Sequence, residues 1–340
     1  MISAGFPTRL RKKRTADGIA DMTDQRTQKT ARPNPSEGLI LKGIGGFYYV
    51  ECGDRVYECR ARGALRGGGA RRERITPLAG DRCMITVHPD GLASLDKVLE
   101  RRNFMLRPPL ANLDNLFIVV SLCQPQPNAL IVDRFISLAE YKGIEPVIVI
   151  TKLDLAEDEG FGNIYRRAGF TVIEADYSSQ NREFLDGIRD IMRNKISAFA
   201  GNTGAGKSTL LNALCPGLDR ETGETSKKLG RGRHTTRETE LFPLAFGGKI
   251  ADTPGFSSFD GDFAEYVCKE ELAGTFREFV DYVPDCRFTG CSHTCEKGCE
   301  VLAAVKRGDI SRSRHDSYVT LYNEVKDIRE WEKSAPRSRR

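Results

Sequence analysis

Gly201-Asn202-Thr203-Gly204-Ala205-Gly206-Lys207-Ser208 satisfies the pattern G-x-x-x-x-G-K-[ST] at every position. It follows an apolar run at 196–200 and leads into 208–215, where leucines recur at helical spacing. The stretch therefore reads as strand, glycine-rich turn and helix. Glycines let the backbone wrap phosphates, and the amides opening the helix point at them. Lys207 is placed to bridge the β and γ phosphates and the Ser208 hydroxyl to ligate Mg²⁺, with Thr209 beside it. The middle of the chain is a nucleotide-binding domain.

The sequence around this loop alternates strands with helices. Residues 116–122, 146–150 and 171–175 are apolar runs suited to parallel strands, and 129–141 and 182–193 have helical periodicity. This pattern predicts a doubly wound α/β domain. Thr151-Lys152-Leu153-Asp154 ends the second of these strands. A carboxylate there accepts two hydrogen bonds from guanine N1–H and the exocyclic amine, which adenine cannot offer, and the Lys152 stem can lie on the base plane. Ser178-Ser179, after the next strand, is expected to buttress the base. Asp252-Thr253-Pro254-Gly255 follows a short run at 249–251, which suits Asp252 to complete the Mg²⁺ site and the Gly255 amide to sense a γ-phosphate.

The order of these motifs is informative. The base reader at 151–154 precedes the phosphate loop at 201–208, which precedes 252–255. Ordinary GTPases start with the phosphate loop and end with the base reader. A circularly permuted chain preserves the contacts while moving the termini. Residues 218–246 are then placed to hold the first switch region, and the chain beyond Gly255 leads straight into a C-terminal module.

Residues 37–106 carry short β-rich runs at 38–41, 46–52, 55–59, 82–88 and 93–99, separated by polar or glycine-rich turns, as expected of an OB-type barrel. The intervening loop, 60–74, holds Arg60, Arg62, Arg66, Arg71, Arg72 and Arg74, a positive strip suited to RNA. Phe47, Tyr48 and Tyr49 offer stacking faces, although alternation must turn at least one of them inward. Arg107-Pro108-Pro109 reads as a linker into a GTPase domain at 107–261. Residues 262–340 form a helical module ending in a charged helix at 316–333. Within that module Cys286, Cys291, His293 and Cys299 have the donor set and spacing of a closed structural Zn²⁺ site. Cys295 is a fifth candidate ligand, and a redox switch is the alternative.

Across 340 residues the formal net charge is +5, with 39% hydrophobic and 29% charged residues. Residues 1–36 hold eight Lys/Arg against three Asp, so the whole excess lies in one tail, expected to be disordered. That tail offers a cluster able to reach phosphates, a solvated segment without partner, or an organellar presequence. No apolar run approaches a membrane span and no apolar core follows the basic N-terminus, so a cytoplasmic protein is expected. The remaining cysteines are scattered in apolar contexts, as in a reducing compartment. A monomer is the default.

The permuted order, the phosphate loop, Gly232-Arg233-His234-Thr235-Thr236 and the Cys/His cluster together resemble the RsgA family of small ribosomal subunit biogenesis GTPases, over about residues 37–330. The resemblance implies GTP hydrolysis to GDP and phosphate, stimulated by the small ribosomal subunit and its rRNA late in maturation, with release on hydrolysis. It also implies that Thr235 or Thr236, in the first switch, ligates Mg²⁺. Thr151 stands where such proteins more usually have Asn, which predicts one weaker loop-bracing hydrogen bond. Phe256 stands where many GTPases have a water-orienting glutamine. His234 is the best replacement within the chain, with partner contact or loop bracing as its alternative role. The rival reading is a non-catalytic, nucleotide-sensing rRNA-binding module.

Overall fold

The computed structural model describes residues 35–63, 75–88, 91–178, 182–216, 239–252, 263 and 267–328. The expectation for the basic tail falls almost wholly outside them. The N-terminal runs form β1 (Ser36–Ile44), β2 (Phe47–Cys52), β3 (Arg55–Ala61), β4 (Arg82–Val87) and β5 (Ala93–Val98). They close into a barrel of order β1-β2-β3-β5-β4, with β3 and β5 parallel and β4 returning to β1. Alternation decides which residues fill it: Ile40, Val50, Cys59, Cys83, Ile85, Leu95 and Val98 are buried inside.

The expected linker is a folded element. β6 (Phe104–Leu106) and β7 (Pro109–Ala111) pair as a hairpin that turns at Arg107-Pro108, so the expected boundary at 106/107 cuts through it. Asn112 Nδ2 donates to the Gly80 carbonyl at 2.9 Å, and the Ala111 amide to Ala79 at 2.9 Å. A Cβ at Gly80 would stand 2.0 Å from the Ala111 carbonyl oxygen, so only glycine permits this approach. Arg101 seals the seam on Asp81, Nε to Oδ1 at 2.7 Å and Nη2 to Oδ2 at 2.7 Å.

The nucleotide domain is a six-stranded sheet built on β8 (Asn115–Ser121), β9 (Glu145–Thr151), β10 (Thr171–Ala175), β11 (Ile196–Ala200), β12 (Glu240–Pro243) and β13 (Lys249–Asp252). Its order is β10-β9-β8-β11-β13-β12, parallel except for the antiparallel edge strand β12. Side chains sort by parity. Leu116, Ile118, Val120, Ile148 and Ile150 join a core beneath α1 (Ala129–Lys142) and α2 (Phe161–Arg167). Phe117, Val119, Val147 and Val149 join another beneath α3 (Glu183–Met192) and α4 (Lys207–Leu214). Helices on both faces make the sheet doubly wound, as its unbroken apolar strands require.

Beyond it lie α5 (Lys269–Leu272), three single 3₁₀ turns, α6 (Glu300–Arg307) and α7 (Arg312–Val325). The charged C-terminal helix starts four residues before its expected position. A core of Leu272, Phe276, Phe279, Val301, Tyr318 and Leu321 holds this module together and takes in Leu130 and Tyr141 of α1. Among the described residues no helix is long and apolar enough to cross a membrane.

Candidate functional site: nucleotide cradle and metal centre

The three nucleotide motifs meet at the carboxyl edge of the parallel strands, where open α/β sheets bind ligands. The phosphate loop leaves β11 and enters α4, the base motif leaves β9, Ser178 follows β10, and Asp252 closes β13. Gly201 has φ +131°, and a Cβ there would meet the Val119 carbonyl oxygen at 2.2 Å, so the loop can leave the strand only with glycine. Ala205 is buried, and Gly206 caps α4 at φ +93°. Gly204 and Thr209 are exposed, whereas Asn202 and Ser208 are half-buried. Lys207 Nζ lies inside the loop and donates to the carbonyls of Gly201 and Asn202, the latter at 2.8 Å. Burial pushes its pKa down to about 8. A lone ammonium this poorly solvated, ringed by backbone dipoles, is poised for an anion.

Thr151 is buried, and its hydroxyl donates to the Ala205 carbonyl at 2.7 Å, with the Val120 carbonyl at 3.3 Å. The brace from threonine runs from the base motif straight into the phosphate loop. Lys152 adopts φ +62° and its Nζ donates to the carbonyls of Cys123, at 3.2 Å, and Gln124. That contact stretches its stem along the site. Leu153 packs on the core below, leaving the Asp154 carboxylate exposed, with no hydrogen-bond partner among the described residues. Ser178 is turned locally instead: its hydroxyl donates to Asp176 Oδ1 at 2.6 Å. The loop after β8 is the part that sequence reading missed. Pro125 lies 3.6 Å from where a Cβ on Gly204 would stand, so this loop walls the cradle, and the only signal was Pro125-Gln126-Pro127 after a buried strand. Ser179, His234, Thr235, Thr236, Gly255 and Phe256 lie outside the described residues, as do Arg66, Arg71, Arg72 and Arg74.

Cys286, Cys291, His293 and Cys299 bring one ligand atom each within 4.8 Å of one another. His293 Nδ1 is 3.6 Å from Cys286 Sγ and 3.4 Å from Cys299 Sγ, and the two sulfurs are 3.9 Å apart. Bonds of about 2.3 Å to sulfur and 2.1 Å to nitrogen give tetrahedral edges of roughly 3.6–3.8 Å, so the donors fit a small divalent ion. None of the cysteines is in a disulfide. Cys295 is exposed and lies outside this group of four. The loop is lashed by Glu296, which accepts from the amides of Ser292, Thr294 and Cys295 and from the Ser292 hydroxyl. Those bonds outweigh burial and hold its pKa down to about 2. α7 grips the same loop: His315 Nε2 lies 2.8 Å from the His293 carbonyl, and Tyr318 donates to Ser292 O at 2.9 Å.

On the barrel, Tyr48 packs against the interior, whereas Phe47 and Tyr49 face outward, as alternation demands. Arg60 stacks on Phe47 with its guanidinium 4.5 Å from the ring centre. Arg62 lies 3.6 Å from Asp96. Tyr49 carries Lys42 at 5.2 Å and donates to Glu58 at 3.1 Å, so its face is already engaged.

Comparison with known proteins agrees with this geometry. The family model "RsgA GTPase" matches residues 98–262 and "RsgA N-terminal domain" residues 37–94. The small ribosomal subunit biogenesis GTPase RsgA of Caldanaerobacter subterraneus subsp. tengcongensis is 41% identical over 294 residues, 86% of this chain and 96% of the relative. That of Alkaliphilus metalliredigens is 41% identical over 302 residues, 87% of this chain and 100% of the relative. Among solved structures, YloQ, titled a circularly permuted GTPase, superposes with a TM-score of 0.71 at 34% identity, covering 89% of this chain and 99% of that one. YjeQ from Thermotoga maritima gives 0.71 at 29% identity, covering 87% and 100%. At 41% identity across 86% of its length, and with its motifs in permuted order, the chain belongs to the RsgA family of circularly permuted GTPases.

Proposed function

We propose that this GTPase binds the small ribosomal subunit in the cytoplasm as a monomer, hydrolyses GTP to GDP and phosphate late in subunit maturation, and leaves on hydrolysis. The observation that carries the reading is the convergence of the phosphate loop, base motif and Asp252 on one sheet edge, in permuted order, between the barrel and the helical module. Gly201, Asn202, Thr203, Gly204, Ala205 and Gly206 wrap the phosphates, Lys207 neutralises them, and Asp154 reads guanine. Thr151 holds the base motif at its fixed height above the loop. Ser208 and Asp252, with Thr235 or Thr236, are hard oxygen donors of the kind Mg²⁺ takes, and the ion supplies charge neutralisation at the phosphates. His234 is assigned to orienting the attacking water. Cys286, Cys291, His293 and Cys299 hold one structural Zn²⁺, favoured over harder ions by three sulfurs. Arg60 and Arg62, with the arginines at 66, 71, 72 and 74, contact rRNA.

The test is GTP turnover, with ATP as control, with and without purified small subunits at stated salt. GTP-specific stimulation is expected, and Asp154→Asn should move preference toward xanthine nucleotides. Tight guanine-nucleotide binding without stimulation points instead to a nucleotide-sensing RNA-binding module.

A further inference from the structure

The edge of the nucleotide sheet is held by the barrel. β12 and β13 form an antiparallel hairpin in which Glu240 pairs with Asp252 at the open end and Pro243 with Lys249 at the turn end. Among the described strands, β12 has a neighbour on one side only. The β1–β2 face of the barrel, where Lys42 pairs with Tyr49 and Leu39 with Glu51, lies against this hairpin. Cross-strand partners share a face, and this one meets the hairpin at both of its ends. Lys42 Nζ binds Glu240 Oε1 at 2.7 Å beside Asp252, and Glu51 Oε2 binds Lys249 Nζ at 2.7 Å beside the turn. Between the two anchors, Leu39 and Leu41 pack on the core that contains Leu241 and Ala251.

We infer that these two ion pairs clamp the hairpin at both ends, making Lys42 and Glu240 positioning residues that couple the barrel to the nucleotide site. The inference rests on the reading of Asp252 as part of that site. A hairpin of four-residue strands spans only about 10 Å, so two anchors at its ends fix its tilt as well as its position. Displacing Lys42 shifts Glu240, and Glu240 is the direct cross-strand neighbour of Asp252. RNA gripping the barrel therefore moves the backbone that presents Asp252, and by linkage the nucleotide state changes the barrel's affinity for RNA by the same factor. Such a device stimulates hydrolysis without inserting a residue into the site. It also explains why Lys42 stands over Tyr49: the ring holds the ammonium on the side facing β12.

The test is hydrogen exchange on the full chain loaded with GDP or with a non-hydrolysable GTP analogue, in wild type, Glu240→Gln, Lys42→Gln and the reversed pair Lys42→Glu/Glu240→Lys. In wild type, exchange in β1 and β2 should differ between the two nucleotides by about five-fold or more, the lower end of ordinary coupling. Glu240→Gln and Lys42→Gln should each abolish that difference in the barrel while the hairpin still responds, and the reversed pair should restore it. A barrel indifferent to nucleotide in wild type while the hairpin responds overturns the clamp. So does a difference that survives in both single variants. If neither hairpin nor phosphate loop responds to nucleotide, the reading of the site itself fails, and the clamp with it. Subunit-stimulated turnover of the same variants then reports the coupling as a fall in kcat, with KM for GTP held.

Discussion

On one side of the nucleotide domain, α7 docks on α1 through Arg314, whose side chain is 1% exposed. It is bonded to Asp133 Oδ1 at 2.7 Å and to both oxygens of Glu278, at 2.7 and 3.1 Å. Its guanidinium stands over Phe276 at 4.5 Å and Phe170 at 5.4 Å. Burial disfavours its charge, yet the two carboxylates hold its pKa above the ordinary value. On the other side, the barrel meets β12–β13 through pairs whose carboxylates, Glu240 and Glu51, keep 36% and 29% of their side-chain surface exposed. The first interface cannot open without stranding charges in the core, where their desolvation is costly. The ion pairs of the second can separate at lower electrostatic cost, because they keep part of their hydration, although Leu39 and Leu41 pack between them. A domain so held is anchored to the helical module, and its β12–β13 contact with the barrel is the more easily adjusted of the two.

Removing the metal should break the anchored side most completely. Structural Zn²⁺ contributes on the order of 10 kcal/mol in small metal-dependent folds, and an ion held by the Cys₃His donors would tie α6 and α7 together. Cys299 caps α6, the Glu300 amide donates to Cys286 Sγ at 3.4 Å, and α7 grips the His293 loop. Chelation, or Cys286→Ser, should erase exchange protection in α6 and α7 and leave β1–β5 protected. Protection retained in α7 after proven metal loss would refute the assignment.

Arg314→Met comes next. Leaving Asp133 and Glu278 buried without a partner should cost about 3–5 kcal/mol in urea unfolding. Removing all three charges with Arg314→Met/Asp133→Leu/Glu278→Leu should recover most of the loss. Full cost in the triple variant would mean that packing, rather than unpaired charge, holds this interface.

Lys207 tests the domain between the two interfaces. Its folded pKa of about 8 lies below the ordinary 10.5. Between those values the unfolded chain binds a proton that the folded chain lacks, so this residue's contribution to stability rises with pH across that window and is lost as pH falls through 8. Phosphate needs the ammonium, so nucleotide affinity should weaken toward ten-fold per pH unit above 8, with proton uptake visible in calorimetry as a dependence on buffer ionisation heat. Lys207→Ala should flatten that slope, and Arg314→Met should not.

How far the sequence discloses this arrangement depends on the range of the interaction. The phosphate loop, Thr151–Asp154 and the Cys₃His group are local patterns whose chemistry dictates their spacing, and the strands around them are apolar runs. β12 is four residues long and α2 seven, following an acidic stretch, too short for periodicity to register. Arg107-Pro108-Pro109 has the composition of a linker, and only the distant Ala79 and Gly80 reveal a hairpin zipped to the barrel. The Thr151 brace depends on a carbonyl 54 residues away. That Cys295 lies outside the Cys₃His group needed its side chain placed in space. Lys42 and Glu240, 198 residues apart, are two ordinary surface charges until the barrel is docked.

That pair carries the smallest stability effect and the sharpest test of the comparison. Lys42→Ala should lower the free energy of unfolding by about 1 kcal/mol at most, as exposed pairs do. A double-mutant cycle with Glu240→Ala should return a coupling of about 1 kcal/mol, the top of the range for exposed pairs and the size that a five-fold response needs. A coupling of several kcal/mol would mean that the barrel is as rigidly anchored as α7, and the contrast between the two sides would disappear. A small coupling in unfolding, together with loss of the nucleotide-dependent difference in the barrel, separates the two roles cleanly. Weak contacts set little of the fold's stability, yet they bias a two-state element whenever the free-energy gap between its states is equally small. An adjustable joint has to be built from pairs like this one, because a joint as strong as Arg314 would hold the hairpin in one position whatever nucleotide was bound.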